Sequence, residues 1–420
     1  MGTLTRQVHS KTSAGDDTTY NINIAGSVYA LYIDQLSQEI YNQDSLPVNT
    51  DVQRIIFSSI SSDGTVYYQN DNGKDTLYAK SDTIDFTNPR YFTCYSTDGS
   101  QSRKYRVTIN VHNSQPENFT WKAVAADAQA FSGVSAQKMF VCDSVITIVA
   151  VKDGTPAVLK ASTKKPTAWN TTSITGLTAL NPANVIMHGA TLCYADNGVL
   201  KTSADGATWQ AQTTNISLDK LFATSPDKLY ALSNGKIYCS SDLKQWSEDA
   251  VADDLAQFPV ENITSAYNDM TFNNNFYYII ACGNNSEGNK IVWKKIVDKQ
   301  GANTEPWTIF PQAEDGKNAY PSKEQALVVS YDAKLYHFGL NAEGNPSEIM
   351  ISTDGGRCWL PQTSTNNPTL ASGATSFSAF CDADNYLWIA TAPDGKVVKG
   401  RINRLSYDKK PTVFPKTIIK

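Results

Sequence analysis

Glycoside hydrolysis needs two carboxylates a set distance apart. The candidates near strand ends are Asp269, Glu324 and Asp382, and each also reads plainly as a solvated loop carboxylate. Asp382-Ala383-Asp384-Asn385 and Asn70-Asp71-Asn72-Gly73 resemble calcium-loop fragments, but neither is followed by the bidentate Glu of an EF-hand. The expectation is therefore no cofactor, with calcium as the alternative. The four histidines (His9, His112, His188, His337) share no i,i+2 or i,i+4 spacing, which argues against zinc, and no metal site is expected. No G-x-S-x-G, P-loop or dinucleotide fingerprint occurs. The seven cysteines are far apart, lack any CxxC and cannot all pair, so they read as small buried side chains. Aromatic rings are a further route to ligands. Trp293 and Trp388, with Asp382, are the ligand-facing candidates, although filling space between packed sheets is the favoured reading for both indoles.

These residues must be held by β-structure. Alternating runs bounded by Gly, Asn, Asp and Pro occur along the chain and helical periodicity is scarce, which predicts an all-β protein. Hydrophobic residues at 41% and charged residues at 18% supply a large core and exclude a disordered chain. A net charge of -5 offers no long-range attraction for phosphate backbones, so nucleic acid is not an expected partner. The longest apolar stretch, Val145 to Val151, is too short to cross a bilayer.

The first 18 residues, rich in Thr, Ser, Gly and Asp, read as a flexible leader without a signal-peptide pattern. Residues 19–112 read as a β-sandwich: Tyr20, Ile22 and Ile24 alternate with polar residues, as do Tyr105, Val107, Ile109 and Val111. Residues 113–118, Asn-Ser-Gln-Pro-Glu-Asn, read as a linker. The main domain is expected over 119–410, followed by a tail over 411–420.

A tryptophan recurs in the main domain at positions 121, 169, 209, 246, 307 and 359, spaced by 48, 40, 37, 61 and 52 residues. That period suits four-stranded propeller blades. A strand precedes four of these tryptophans, as in Val199-Leu200-Lys201-Thr202-Ser203 and Lys236-Ile237-Tyr238-Cys239-Ser240, and an aromatic or apolar pair such as Leu192-Cys193 or Leu335-Tyr336 lies further upstream. The last such strand, Lys396-Val397-Val398-Lys399, has no tryptophan after it, whereas Trp121 has no strand before it. The prediction is a six-bladed ring closed by its first strand, which leaves no exposed sheet edge; seven blades are the alternative if the gap before Trp307 hides a degenerate one.

The turns before the tryptophans share a plan. Ser203-x-Asp205-x-x-x-Trp209 and Ser240-x-Asp242-x-x-x-Trp246 match each other, and Ser352-x-Asp354-Gly355-Gly356-x-x-Trp359 is one residue longer. The carboxylate can accept turn N–H groups while Gly takes positive φ. Ser162, Lys164 and Trp169 keep the longer spacing without the carboxylate. On these residues the last 290 or so positions resemble the Asp-box (BNR) repeat β-propellers, whose best-known members are sialidases. The resemblance implies that the boxes are peripheral turns. The two-part layout, with Ile84-Asp85-Phe86-Thr87-Asn88-Pro89 and the run Tyr105 to Val111, is similar to Bacteroidetes surface lipoproteins in which an immunoglobulin- or cadherin-like sandwich precedes such a propeller. That likeness implies export to the periplasm or outer-membrane surface and a lipid anchor on a cysteine. No cysteine precedes Cys94.

Sialidases grip a carboxylate with three arginines from separate blades. Here the region has only Arg357 inside a box and Arg401 and Arg404 on one strand or its edge, so a typical sialidase is not expected. The expected function is a non-enzymatic binding or scaffold protein of the cell envelope, recognising glycan or protein through propeller loops. The alternative is a glycoside hydrolase or lyase with its acids in the channel.

Overall fold

The computed structural model describes residues 1–11, 16–57, 59–116, 118–313, 318–321, 325–362, 368–370 and 372–406. Glu324, Glu117 and the expected tail 411–420 lie outside them, as does the side chain of His9. Two units of contact divide the described residues, one beginning at Met1 and running to Asn118, the other Phe119–Arg401.

In the first unit the expected flexible leader is instead a strand. Thr3–Lys11 pairs antiparallel with Asp17–Ala25, setting Leu4 against Ile24, Arg6 against Ile22 and Val8 against Tyr20. The β-branched Thr residues suit a pleat, and Leu4 is buried in the same core as Phe57, Phe86, Phe92 and Val107. The second sheet has six strands in the order Leu31–Asp34, Glu39–Asn42, Ser102–Thr108, Arg90–Tyr95, Thr65–Gln69, Asp75–Leu77. It departs from a purely antiparallel sandwich at one place. Glu39–Asn42 and Ser102–Thr108 run parallel, which the long intervening segment permits.

The second unit is a β-propeller. Among the described residues it holds six four-stranded antiparallel sheets, named A to F here. Sheet A is Val134–Cys142, Val145–Lys152, Thr155–Ser162 and Lys165–Ser173. The first strands of sheets B to F are Ile186–His188, Lys220–Thr224, Glu261–Asp269, Leu327–Tyr331 and Ser376–Cys381. First strands pack against first strands from B through F, then F against A. Val134–Cys142 also meets the 3-10 turn Pro182–Asn184, which leads into sheet B, and the series closes as a ring.

Closure uses the offset seen in the sequence. Sheet F consists of Ser376–Cys381, Leu387–Ala392, Lys396–Ile402 and, as its fourth strand, Phe119–Ala126 from the beginning of the unit. Trp121 lies so close over this seam that a Cβ on Gly400 would sit 2.3 Å from the indole.

The six tryptophans all lie in or immediately before fourth strands. Trp209, Trp246, Trp307 and Trp359 each directly precede one (Gln210–Ala211, Ser247–Glu248, Thr308–Ile309, Leu360–Pro361), and Trp169 and Trp121 lie within theirs. The first four are buried and the other two half-buried, with Trp169 edge-on to Phe131 and Trp121 stacked on Phe119.

Candidate functional site

A first strand is a sheet edge, so its outward N–H and C=O groups have no strand partner. Side chains from the neighbouring sheet supply many of them. Ser378 Oγ accepts from Met139 N at 2.8 Å, and Gln137 Nε2 donates to Ser376 O at 3.2 Å, joining sheets F and A. Lys138 Nζ donates to Ala183 O at 2.8 Å between A and B, and His188 Nδ1 meets Thr224 Oγ1 at 2.9 Å between B and C. Lys220 Nζ donates to Val260 O at 3.0 Å between C and D. Thr264 Oγ1 accepts from Val328 N between D and E, and Gln325 Nε2 donates to Thr375 O between E and F, both at 2.8 Å. Each junction of the ring therefore carries a side-chain tie. The ties join early residues to early and late to late, so the first strands run the same way around the axis.

They enclose a channel of about 1240 Å³. Its wall carries amides and hydroxyls (Ser135, Asn184, Asn262 and Asn268 among them), rings (Phe222, Tyr267, Phe380) and four described charged residues, Lys138, Lys220, Glu261 and Asp269. Glu261 and Asp269 are the two ends of one strand. Eight residue steps at about 3.3 Å each put them roughly 25 Å apart, well beyond the ~5–9.5 Å of paired glycosidase carboxylates. Asp269 is also ion-paired with Lys299 at 2.8 Å. Burial lowers the Lys220 ammonium, with Glu261 opposing the shift. Lys138 is half-buried, and burial lowers its ammonium to about 8. Cys381 lines the channel too, but burial, with Asp382 adding, pushes its thiol up to about 12, so it is no nucleophile at neutral pH.

The three ligand-facing candidates are corrected. Trp293 is fully buried beside Phe258 and donates to Gln257 O at 3.2 Å. Trp388 is buried in the core between sheets F and A, and its Nε1 donates to Asp382 Oδ2 at 2.7 Å. The other Asp382 oxygen accepts from Asp384 N and Tyr386 N, so this carboxylate builds the hairpin between the first two strands of sheet F. Both indoles had to be buried because their strands lie inside sheets with neighbours on either face.

The Ser-x-Asp turns are peripheral, ahead of fourth strands. Asp205 Oδ1 accepts from Ala207 N and Thr208 N at 2.9 and 2.8 Å, Ser203 Oγ accepts from Gly206 N at 2.8 Å, and Trp209 Nε1 donates to Gly206 O at 2.9 Å. Asp354, Ser352, Gly356 and Trp359 repeat this with Arg357 N and Cys358 N as donors. Asp242 accepts from Lys244 N and Gln245 N, and Ser240 donates to it, but Leu243 at φ 62 stands where the others have Gly and Trp246 Nε1 finds no partner among the described residues. The turn N–H groups hold the Asp205 and Asp242 carboxyls below their ordinary value. In sheet D, which lacks the motif, Trp307 Nε1 donates to Asp249 Oδ2 at 3.0 Å, and Asp249 is paired with the buried Lys295 at 3.0 Å.

The arginines do not converge. Arg357 is exposed on its turn, Arg401 lies over Tyr386 and donates to Asp384 O, and Arg404 falls in the 3-10 turn Asn403–Ser406; none lines the channel. Among the described residues no cluster of His, Cys, Asp and Glu could hold a metal ion. Lys138, Lys220, Glu261 and Tyr267 are channel residues that sequence reasoning missed, and only Lys138 left a signal. Its signal was a lysine set within the apolar run Met139-Phe140-Val141 and its approach.

The chain was compared with known proteins. No curated protein matches it. Solved structures with the same kind of fold include a virginiamycin B lyase from Staphylococcus aureus (10% identity, 67% of this chain and 99% of that one, TM-score 0.38). Two others are a gluconolactonase from Xanthomonas campestris (11%, 68% and 96%, TM-score 0.38) and an endo-arabinase from Bacteroides thetaiotaomicron (11%, 67% and 97%, TM-score 0.34). No activity carries over from them at such identity. Two family profiles match, the DUF6242 N-terminal domain over residues 1–109 and the DUF6242 beta propeller domain over residues 115–410. The chain belongs to the DUF6242 family.

Proposed function

We propose that the protein is a non-catalytic binding module of the cell envelope that takes a glycan at the propeller channel. Each of the six sheets is read as one blade, and the Ser-x-Asp turns as Asp boxes with a structural role. The observation that carries the reading is the wall of the channel. It is rich in amides, hydroxyls and rings, the groups that match sugar hydroxyls and sugar faces, and its two described carboxylates stand at opposite ends of one strand. Envelope placement and a lipid anchor rest on the likeness to Bacteroidetes surface lipoproteins, as does an immunoglobulin-type N-terminal sandwich.

The test is a glycan panel probed with the full chain for both binding and release of reducing ends. Retention without turnover is expected, weakened at least tenfold by Tyr267→Ala, since Tyr267 lines the channel and is 38% exposed. Saturable hydrolysis lost in Glu261→Gln or Asp269→Asn would establish the hydrolase instead.

A further inference from the structure

We propose that the channel selects an acidic sugar, with the sugar carboxylate held by the ammonium of Lys138. The inference rests on the glycan reading above and narrows it to one ligand class.

The argument is one of charge and donor accounting. An ammonium has three N–H donors and no acceptor. Lys138 spends one on Ala183 O, and no described carboxylate forms an ion pair with it. Among the described residues, the elements packed against its strand bring one charge, Lys152 at the end of Val145–Lys152, whose ammonium is spent on Ala130 O and Ser132 O. The first strand of sheet F presents Ser376, Ser378 and Cys381, whose thiol stays protonated, and the turn before sheet B presents Ala183 and Asn184.

Other described charges on the wall are offset. Lys220 feels Glu261, and Asp269 holds Lys299. One uncompensated positive charge therefore remains in a channel of about 1240 Å³, room enough for a short oligosaccharide. A single point charge suits a carboxylate, whereas a phosphate dianion calls for several donors or an arginine fork. The surrounding amides then serve the sugar hydroxyls. Burial sets the free amine near 8, so it is charged at neutral pH, and a bound carboxylate raises it further. Affinity is full below about pH 8 and falls by up to tenfold per pH unit above it.

The experiment uses the full chain labelled with ε-¹³C-lysine, which leaves all three N–H donors in place, the Lys138 signal being assigned with Lys138→Met. Sodium glucuronate is titrated against glucose and sodium acetate. Glucuronate is expected to raise the Lys138 titration midpoint by at least half a pH unit, with glucose without effect and acetate weaker than glucuronate. Lys138→Arg, which keeps charge to high pH, should retain glucuronate binding and lose its decline above pH 8, so the result survives if Lys138→Met folds poorly. An unmoved Lys138 midpoint overturns the inference. If the neutral panel is still retained in a Tyr267-dependent way, the glycan reading survives that failure. Equal shifts with acetate and glucuronate also overturn it, because the site would then hold any carboxylate.

Discussion

At the outer edge of sheets B, C and E the chain turns on a carboxylate and buries an indole. At the inner edge of the ring, backbone groups in or just before first strands are met by hydroxyl, amide and ammonium side chains from the neighbouring sheet, as at Met139 N, Thr375 O and Ala183 O. The outer contacts mostly lie within one hairpin, so each sheet stabilises its own last turn. The inner ones cross a junction; those at Met139 N and Val328 N are buried, whereas the one from Gln325 to Thr375 O is exposed, so there water can replace a lost partner. The lesson is a division of labour along each sheet: the rim is stabilised within its own hairpin, and the axis through its neighbours.

The sharpest way to break that contrast is Trp359→Ala. The indole is fully buried and donates to Gly356 O, so about 3–5 kcal/mol should be lost in denaturant unfolding. Trp169→Ala should cost clearly less, since Trp169 is half-buried and its Nε1 finds no partner among the described residues. Equal costs would show that the Ser-x-Asp turn adds nothing to the burial of its indole.

Next comes Gly400→Ala, whose methyl would meet Trp121 at 2.3 Å across the closing seam. About 1–3 kcal/mol of destabilisation is expected, relieved in part when Trp121→Ala is added, and a double-mutant cycle measures the coupling.

Asp205→Ala should cost about 1–2 kcal/mol through its lost turn hydrogen bonds. Because the Asp205 and Asp242 carboxyls lie below their unfolded-state values, their stabilisation is complete above about pH 4 and vanishes as pH falls through the folded-state values. Thermal melts from pH 7 to 2 on wild type and Asp205→Ala should converge in acid.

The smallest effect belongs to the axis. Gln325→Ala, which frees Thr375 O to water, should shift stability by about 0.5 kcal/mol or less in the same melts.

How far the sequence reaches follows the same division. The rim is legible because its signals are local: an indole, a Ser-x-Asp turn and a strand at fixed offsets, enough to imply an all-β propeller and the offset strand at Phe119 that completes sheet F. The strand at Thr3–Lys11 is misread because composition stands in for pairing, and its partner Asp17–Ala25 decides its state. Trp293 and Trp388 are ambiguous in sequence because exposure depends on which sheet faces each indole. The channel wall is illegible for a stronger reason. Lys138, Ala183, Lys220 and Glu261 meet only once the sheets are placed around an axis, and no spacing along the chain encodes that.

The borrowed strand in sheet F also carries a cost in time. During synthesis Phe119–Ala126 leaves the ribosome about 270 residues ahead of Lys396–Ile402, its only neighbour in the sheet. At about 5–20 residues per second that is a wait of roughly 14–54 s with a pleated segment unpaired. A nascent chain halted before Lys396 would keep that edge open to other polypeptides, which makes this interval the one in which a holding chaperone has most to do.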